Sequence, residues 1–176
     1  MKKLYLCIFI IFSFYFAGCS VKYQNINLEK KVDFNKNMTM LSKKIKSLSE
    51  KIDKEEAKRV SYEAIIYSKY LANKYEIVKP VLFHNTLINL DLKEKGYCYH
   101  YANDLLSYLK EKGFKSFYFI KAVSNKGEYF EHTSLVLTRD DITFENSIVL
   151  DAWRNAGELF FSKVKNDKRY KWEKNN

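Results

Sequence analysis

KEKGYCYHYANDLLSYLKEKG, residues 93–113, sets a cysteine at the point where a glycine-led loop turns into an amphipathic helix. Cys98, Ala102, Leu105 and Leu109 recur at steps of 4, 3 and 4, the spacing of one helical face. Gly113 stands where a left-handed C′ residue ends a helix. Beyond it the period drops to that of strands. FYFIKAV (117–123), YFEHTSLVLT (129–138) and SIVLDAW (147–153) are rich in aromatic and β-branched residues and bounded by Asn, Gly and Asp. Helices first and an antiparallel meander afterwards predict an α+β domain.

Upstream, Leu41, Ile45, Leu48 and Ile52 form a helical stripe that begins near Met38. Asp53 is placed as an N-cap, and Glu56 three residues on completes the pattern of a capping box. Val60, Ala64, Tyr67 and Leu71 then predict a second helix to about Tyr75. Pro80, the only proline, breaks the pattern and opens VLFHNTLINL, a segment whose pattern is ambiguous. Residues 20–37 are polar and without clear period, which suits a tether.

The chain starts MKKLYLCIFIIFSFYFAGCS, two lysines followed by an apolar run from Leu4 to Ala17. That run is short for a bilayer span and ends in small residues, the pattern of an export signal. FAGC, Phe16 to Cys19, resembles a bacterial lipoprotein box. The resemblance implies cleavage before Cys19, acylation there, and a mature protein held on a membrane by lipid. Ser20 after the cysteine favours the outer membrane, facing the periplasm, under the enteric sorting rule. The organisation expected is a leader at 1–18, a lipidated Cys19 with a tether to 37, and one domain at 38–176 with a helical subdomain at 38–79.

Processing of that kind removes Cys7 and acylates Cys19, leaving Cys98 as the single free thiol of an exported chain. Oxidising compartments favour paired cysteines, so a lone thiol points either to a small buried apolar residue or to a reactive one. The formal charge is +10, falling to +8 once Lys2 and Lys3 leave. It is spread over solvated faces without a compact basic block of interleaved aromatics, so nucleic acid is not expected as a partner.

Cys98 falls in the first turn of its helix, where unpaired amides and the macrodipole favour an anion such as a thiolate. A nucleophilic thiol needs a base, and the base an orienting group. Of the three histidines, His100 lies on another helical face and His84 in the ambiguous segment. His132 lies in the second predicted strand and Asp151 in the third. A hairpin folded about residues 141–142 pairs Val136 with Ser147, Ser134 with Val149, and His132 with Asp151, so the carboxylate can orient the ring.

GYCYHYANDLLSYL, YFEHTSLVL and SIVLDAWRN together resemble the transglutaminase-like cysteine-enzyme superfamily of the broader papain-like group. The resemblance covers about residues 80–155. It implies a helix bearing the nucleophile, packed on an antiparallel sheet, with Cys98 as nucleophile, His132 as general base and acid, and Asp151 as orienter. It also implies thioester acyl transfer on amide bonds, by a peptidase or amidase more readily than a crosslinker, on peptide or peptidoglycan-type substrates. Two positions depart from the pattern: Tyr99 follows the cysteine where Trp is common, and Leu90, Asp91 and Leu92 stand where an oxyanion glutamine is expected. Asn85 is the substitute donor, and Tyr97 and Trp153 are the other candidates for the substrate side. No cofactor is implied, and no metal, since His84, Cys98 and His100 lack a helical i, i+4 ligand pair. Two other readings remain: a non-catalytic binding lipoprotein, and a Cys–His–His site using His84 or His100 in place of Asp151.

Overall fold

The computed structural model describes residues 31–175. The expected leader, Cys19 and the first part of the expected tether lie outside them. Four helices precede a five-stranded antiparallel sheet: α1 Lys31–Lys46, α2 Lys54–Lys74, α3 Val81–Asn89, α4 Cys98–Glu111, β1 Tyr118–Ser124, β2 His132–Thr138, β3 Ile148–Asp151, β4 Phe160–Lys163 and β5 Glu173–Lys174. The strand order is β4-β3-β2-β1-β5. The α+β class expected from the sequence is the class observed.

Helix α1 starts seven residues before Met38, so residues 31–37 are helix and not tether. Phe34 extends the Met38–Leu41–Ile45 stripe by one more step and meets Tyr62 of α2 edge-on at 5.8 Å. The same helix ends before Leu48 and Ile52. Lys46 Nζ donates to the carbonyls of Glu50 (2.9 Å) and Ile52 (2.7 Å), closing the turn that follows. Asp53 caps α2 by accepting from the Glu56 amide at 2.8 Å. Glu56 does not complete the box. Its carboxylate accepts from the amide and hydroxyl of Ser116, at 2.8 and 2.6 Å, and so pins the loop that enters β1.

VLFHNTLINL folds as the helix α3. It is held by His84, whose Nδ1 accepts from the Val78 amide (3.2 Å) and whose Nε2 donates to the Lys95 carbonyl (2.9 Å). Gly96 closes against that ring at φ +137°, and a Cβ there would run into His84 Nε2.

Helix α4 lies between α2 and the sheet, over β2 and β1. Tyr101, Ala102, Leu105 and Leu109 are buried, and Gly113 takes φ +67° at the end, as the stripe and the C′ position require. The larger core joins Tyr101, Leu105 and Leu109 to Leu135, Leu137, Ile148 and Leu150 on one face of the sheet. A smaller one, with Ala122, Val136, Val149, Val164 and Trp172, covers the other face. Strand β2 is therefore buried on both sides throughout.

The register between β2 and β3 differs from the expected one by two residues. Leu135 pairs with Leu150, Val136 with Val149, and Leu137 with Ile148. A 3-10 turn at Phe144–Asn146 lengthens the connection beyond a simple fold at 141–142. Because the slip is even, every side chain keeps its face. His132 and Asp151 thus remain on one side of the sheet, diagonal and not opposed.

Candidate active site

The helix start, the head of β2 and the tail of β3 meet at one end of the sheet. Cys98 is the first residue of α4, and its Sγ lies 4.0 Å from the carbonyl oxygen of Glu131, which immediately precedes His132. His132 Nε2 and Asp151 Oδ2 are 2.6 Å apart, with side-chain exposures of 2% and 1%. Asp151 accepts three further hydrogen bonds, from the Trp153 and Arg154 amides on Oδ1 (3.0 and 3.1 Å) and from Arg154 Nε on Oδ2 (2.6 Å). The turn after β3 thus wraps the carboxylate and fixes its aim, which the diagonal register alone does not do.

The other ring nitrogen of His132, Nδ1, is buried without a hydrogen-bond partner. It is the nitrogen that remains for the thiol once Nε2 is taken. Burial opposes a charge on this ring, but the Asp151 carboxylate and then the Cys98 thiol outweigh it and push His132 up to about 9. Burial likewise opposes the Asp151 charge, and the His132 and Arg154 partners win there, holding the carboxyl down at about 2. The pair is therefore built to be charged on both sides.

Three rings wall His132: Trp153, Tyr170 and Trp172, with centroids at 4.9, 4.4 and 5.2 Å. They exclude water from the His–Asp bond, which strengthens it. Trp153 thus serves the histidine from the core and does not line the groove.

A groove of about 760 Å³ opens in front of Cys98. Asn85, Tyr97, Tyr99, Tyr129 and Phe130 contribute to its walls, with Lys121 and Glu131 as its charged residues among those described. Tyr129 is 92% exposed on the rim. Tyr97 stacks on Tyr99 at 5.5 Å, and its hydroxyl donates to Asn89. Asn85 Oδ1 is buried without a partner on the α3 wall, and the same amide turned by 180° presents its N–H there. The Cys98 and Tyr99 amides, first in α4, have no intrahelical acceptor.

His84 and His100 are committed elsewhere. His84 holds α3 as described, and His100 Nδ1 reaches back to accept from the Gly96 and Tyr97 amides at 3.1 and 3.3 Å. Burial lowers the pKa of both, keeping them neutral. A Cys–His–His site would have to break those bonds. Among the described residues no three His, Cys, Asp or Glu side chains converge as metal ligands.

Known proteins offer no guide. No family model, curated protein or solved structure matches this chain.

One residue of the site, Asp167, escaped the sequence reading, and Arg154 was read without its role. Asp167 receives the guanidinium of Arg154 through two bonds, 3.1 and 2.5 Å, and Trp172 Nε1 at 2.8 Å. The signal for Arg154 was its i, i+3 spacing from Asp151. Asp167 had none, since 13 residues and β4 separate it from its partner.

Proposed function

We propose that this chain is a cysteine enzyme of transglutaminase-like fold that acts on amide bonds by thioester acyl transfer. The observation that carries the reading is a buried Asp151–His132 pair whose remaining ring nitrogen is unpartnered beside a helix-start cysteine open to a groove. His132 takes the proton of Cys98, and the thiolate attacks the amide carbonyl carbon. The oxyanion rests on the Cys98 and Tyr99 amides and on the Asn85 side chain. The C–N bond breaks as His132 returns its proton to the leaving amine, leaving a thioester. Water, deprotonated by His132, then attacks the thioester carbonyl and releases acid and free Cys98.

Hydrolysis is favoured over crosslinking because, among the described residues, the groove holds one carboxylate, Glu131, and no acidic cluster to capture an amine co-substrate. Its aromatic and amide-bearing walls suit a peptide or peptidoglycan-stem amide of low charge. The localisation proposed with this activity is the envelope, with lipid on Cys19 and the domain on the periplasmic side of the outer membrane.

Alkylation by iodoacetamide tests the pair. Cys98 should react rapidly at neutral pH in the folded chain, and His132→Ala should slow it at least tenfold. A thiol indifferent to that change, or silent until unfolding, would leave a binding lipoprotein as the better description.

A further inference from the structure

The His132–Asp151 pair does not end at Asp151. Arg154 Nε shares Oδ2 of Asp151 with His132, each at 2.6 Å. Its two terminal nitrogens fork onto Asp167, which also accepts from the Arg169 amide at 3.0 Å and from Trp172 Nε1 at 2.8 Å. Side-chain exposure along this line is 2%, 1%, 4% and 1% for His132, Asp151, Arg154 and Asp167. Phe160 and Tyr170 lie under the guanidinium at 3.8 and 4.7 Å, so water does not share its charge.

We propose that Arg154 and Asp167 are positioning residues, the outer half of a buried charge chain whose sign balance keeps His132 protonated as the partner of a Cys98 thiolate. The three permanent members, Asp151, Arg154 and Asp167, sum to one negative charge in the interior. An imidazolium cancels it, whereas a neutral imidazole leaves it uncompensated at a cost that buried ions do not tolerate well. Asp167 touches neither His132 nor the groove, yet it supplies the odd charge. Without it, Asp151 and Arg154 are already neutral together and His132 has less reason to hold its proton.

Of the other groups around the ring, only Cys98, among the described residues, adds a charge, and its thiolate favours the imidazolium too. Cys98 from α4 is the intended counter-ion. Tyr170, from the segment before β5, is pushed toward its neutral form by burial. Ser124, opposite His132 on β1, carries no charge. Asp167 stays ionised because Arg154 and Trp172 together outweigh its burial.

The test is the protonation midpoint of His132, followed by NMR of the full chain in detergent with histidine-selective labelling. Asp167→Asn should lower the midpoint by about one pH unit, the effect of a charge on the order of 10 Å away at an effective dielectric of about 20. Arg154→Gln should raise it, because two carboxylates then face one cation. The double variant should lie between wild type and Arg154→Gln alone, because Arg154, on the same Oδ2 as His132, is closer to the ring than Asp167 is. Trp172→Phe, which removes a donor from Asp167 and no charge, should leave it in place. An unmoved midpoint in folded Asp167→Asn, or both single variants shifting the same way, overturns the proposal. If Asp167→Asn does not fold, a wild-type midpoint at or below about 6.5 overturns it alone. The consequence for the thiol rests on the enzyme reading, but the midpoint does not. Expected shifts with alkylation indifferent to His132 would sink the enzyme and keep the charge chain.

Discussion

Replacing Asp151 by Asn removes the charge that holds His132 while keeping the shape of the side chain. Asp151 and, after it, Cys98 raise His132 from 6.5 to about 9 against its burial, which corresponds to about 3 kcal/mol in favour of the imidazolium. His132 and Asp151 are both buried, so solvent screening takes little of this away. At pH 7.5 a midpoint near 9 leaves about 97% of the rings protonated; a midpoint at 6.5 leaves roughly a tenth. The thiolate–imidazolium population, and with it the rate of Cys98 alkylation, should fall about tenfold from protonation alone. Loss of ring orientation adds to that for turnover, because Asn donates where the carboxylate accepted. The assay is iodoacetamide labelling of the full chain from pH 5 to 10, read by mass spectrometry, with circular dichroism to confirm folding. A folded Asp151→Asn variant that alkylates within twofold of wild type at every pH would refute the reasoning.

The same coupling ties stability to pH. His132 is raised on folding, so its contribution is complete below pH 6.5 and is lost as pH climbs through about 9; Asp151 is depressed, so its share is complete above pH 3.8 and is lost toward about 2. Thermal melts should give a lower Tm at pH 9.5 than at pH 6, and His132→Gln should flatten that fall. Gly96→Ala drives a methyl into His84 at a positive φ, and should cost about 2–4 kcal/mol in denaturant titrations. A loss under about 0.5 kcal/mol would mean that the α3–α4 loop is not packed as described. Cys19→Ser should shift the protein from the membrane to the soluble fraction on centrifugation, and unchanged sedimentation with membranes would argue against lipid attachment at that thiol.

How far the sequence could be read depended on whether each feature had a period. Helix α4 was legible from Cys98 to Gly113 because an unbroken 4-3-4 stripe ended at a glycine free to take positive φ. The start of α1 was hidden because the polar run Asn35, Lys36 and Asn37 separates Phe34 from the stripe that begins at Met38. VLFHNTLINL was ambiguous for a different reason: its helix is set by His84 bonding to Val78 and Lys95, contacts with no periodic trace. His132 and Asp151 were paired from a register wrong by two residues and are still in contact, because an even slip preserves the face and the Trp153–Arg154 turn re-aims the carboxylate. From the sequence, Trp153 could be read as a groove residue or as core, and Arg154 beside it as a groove residue. Their polar ends instead turn inward, since β3 is covered on both sides and the turn after it is buried with it. A residue beside a nucleophile is thus more informative for what it must hold in place than for what it could touch. Here that logic runs from Asp151 outward to Asp167, which reaches His132 through Arg154 and Asp151.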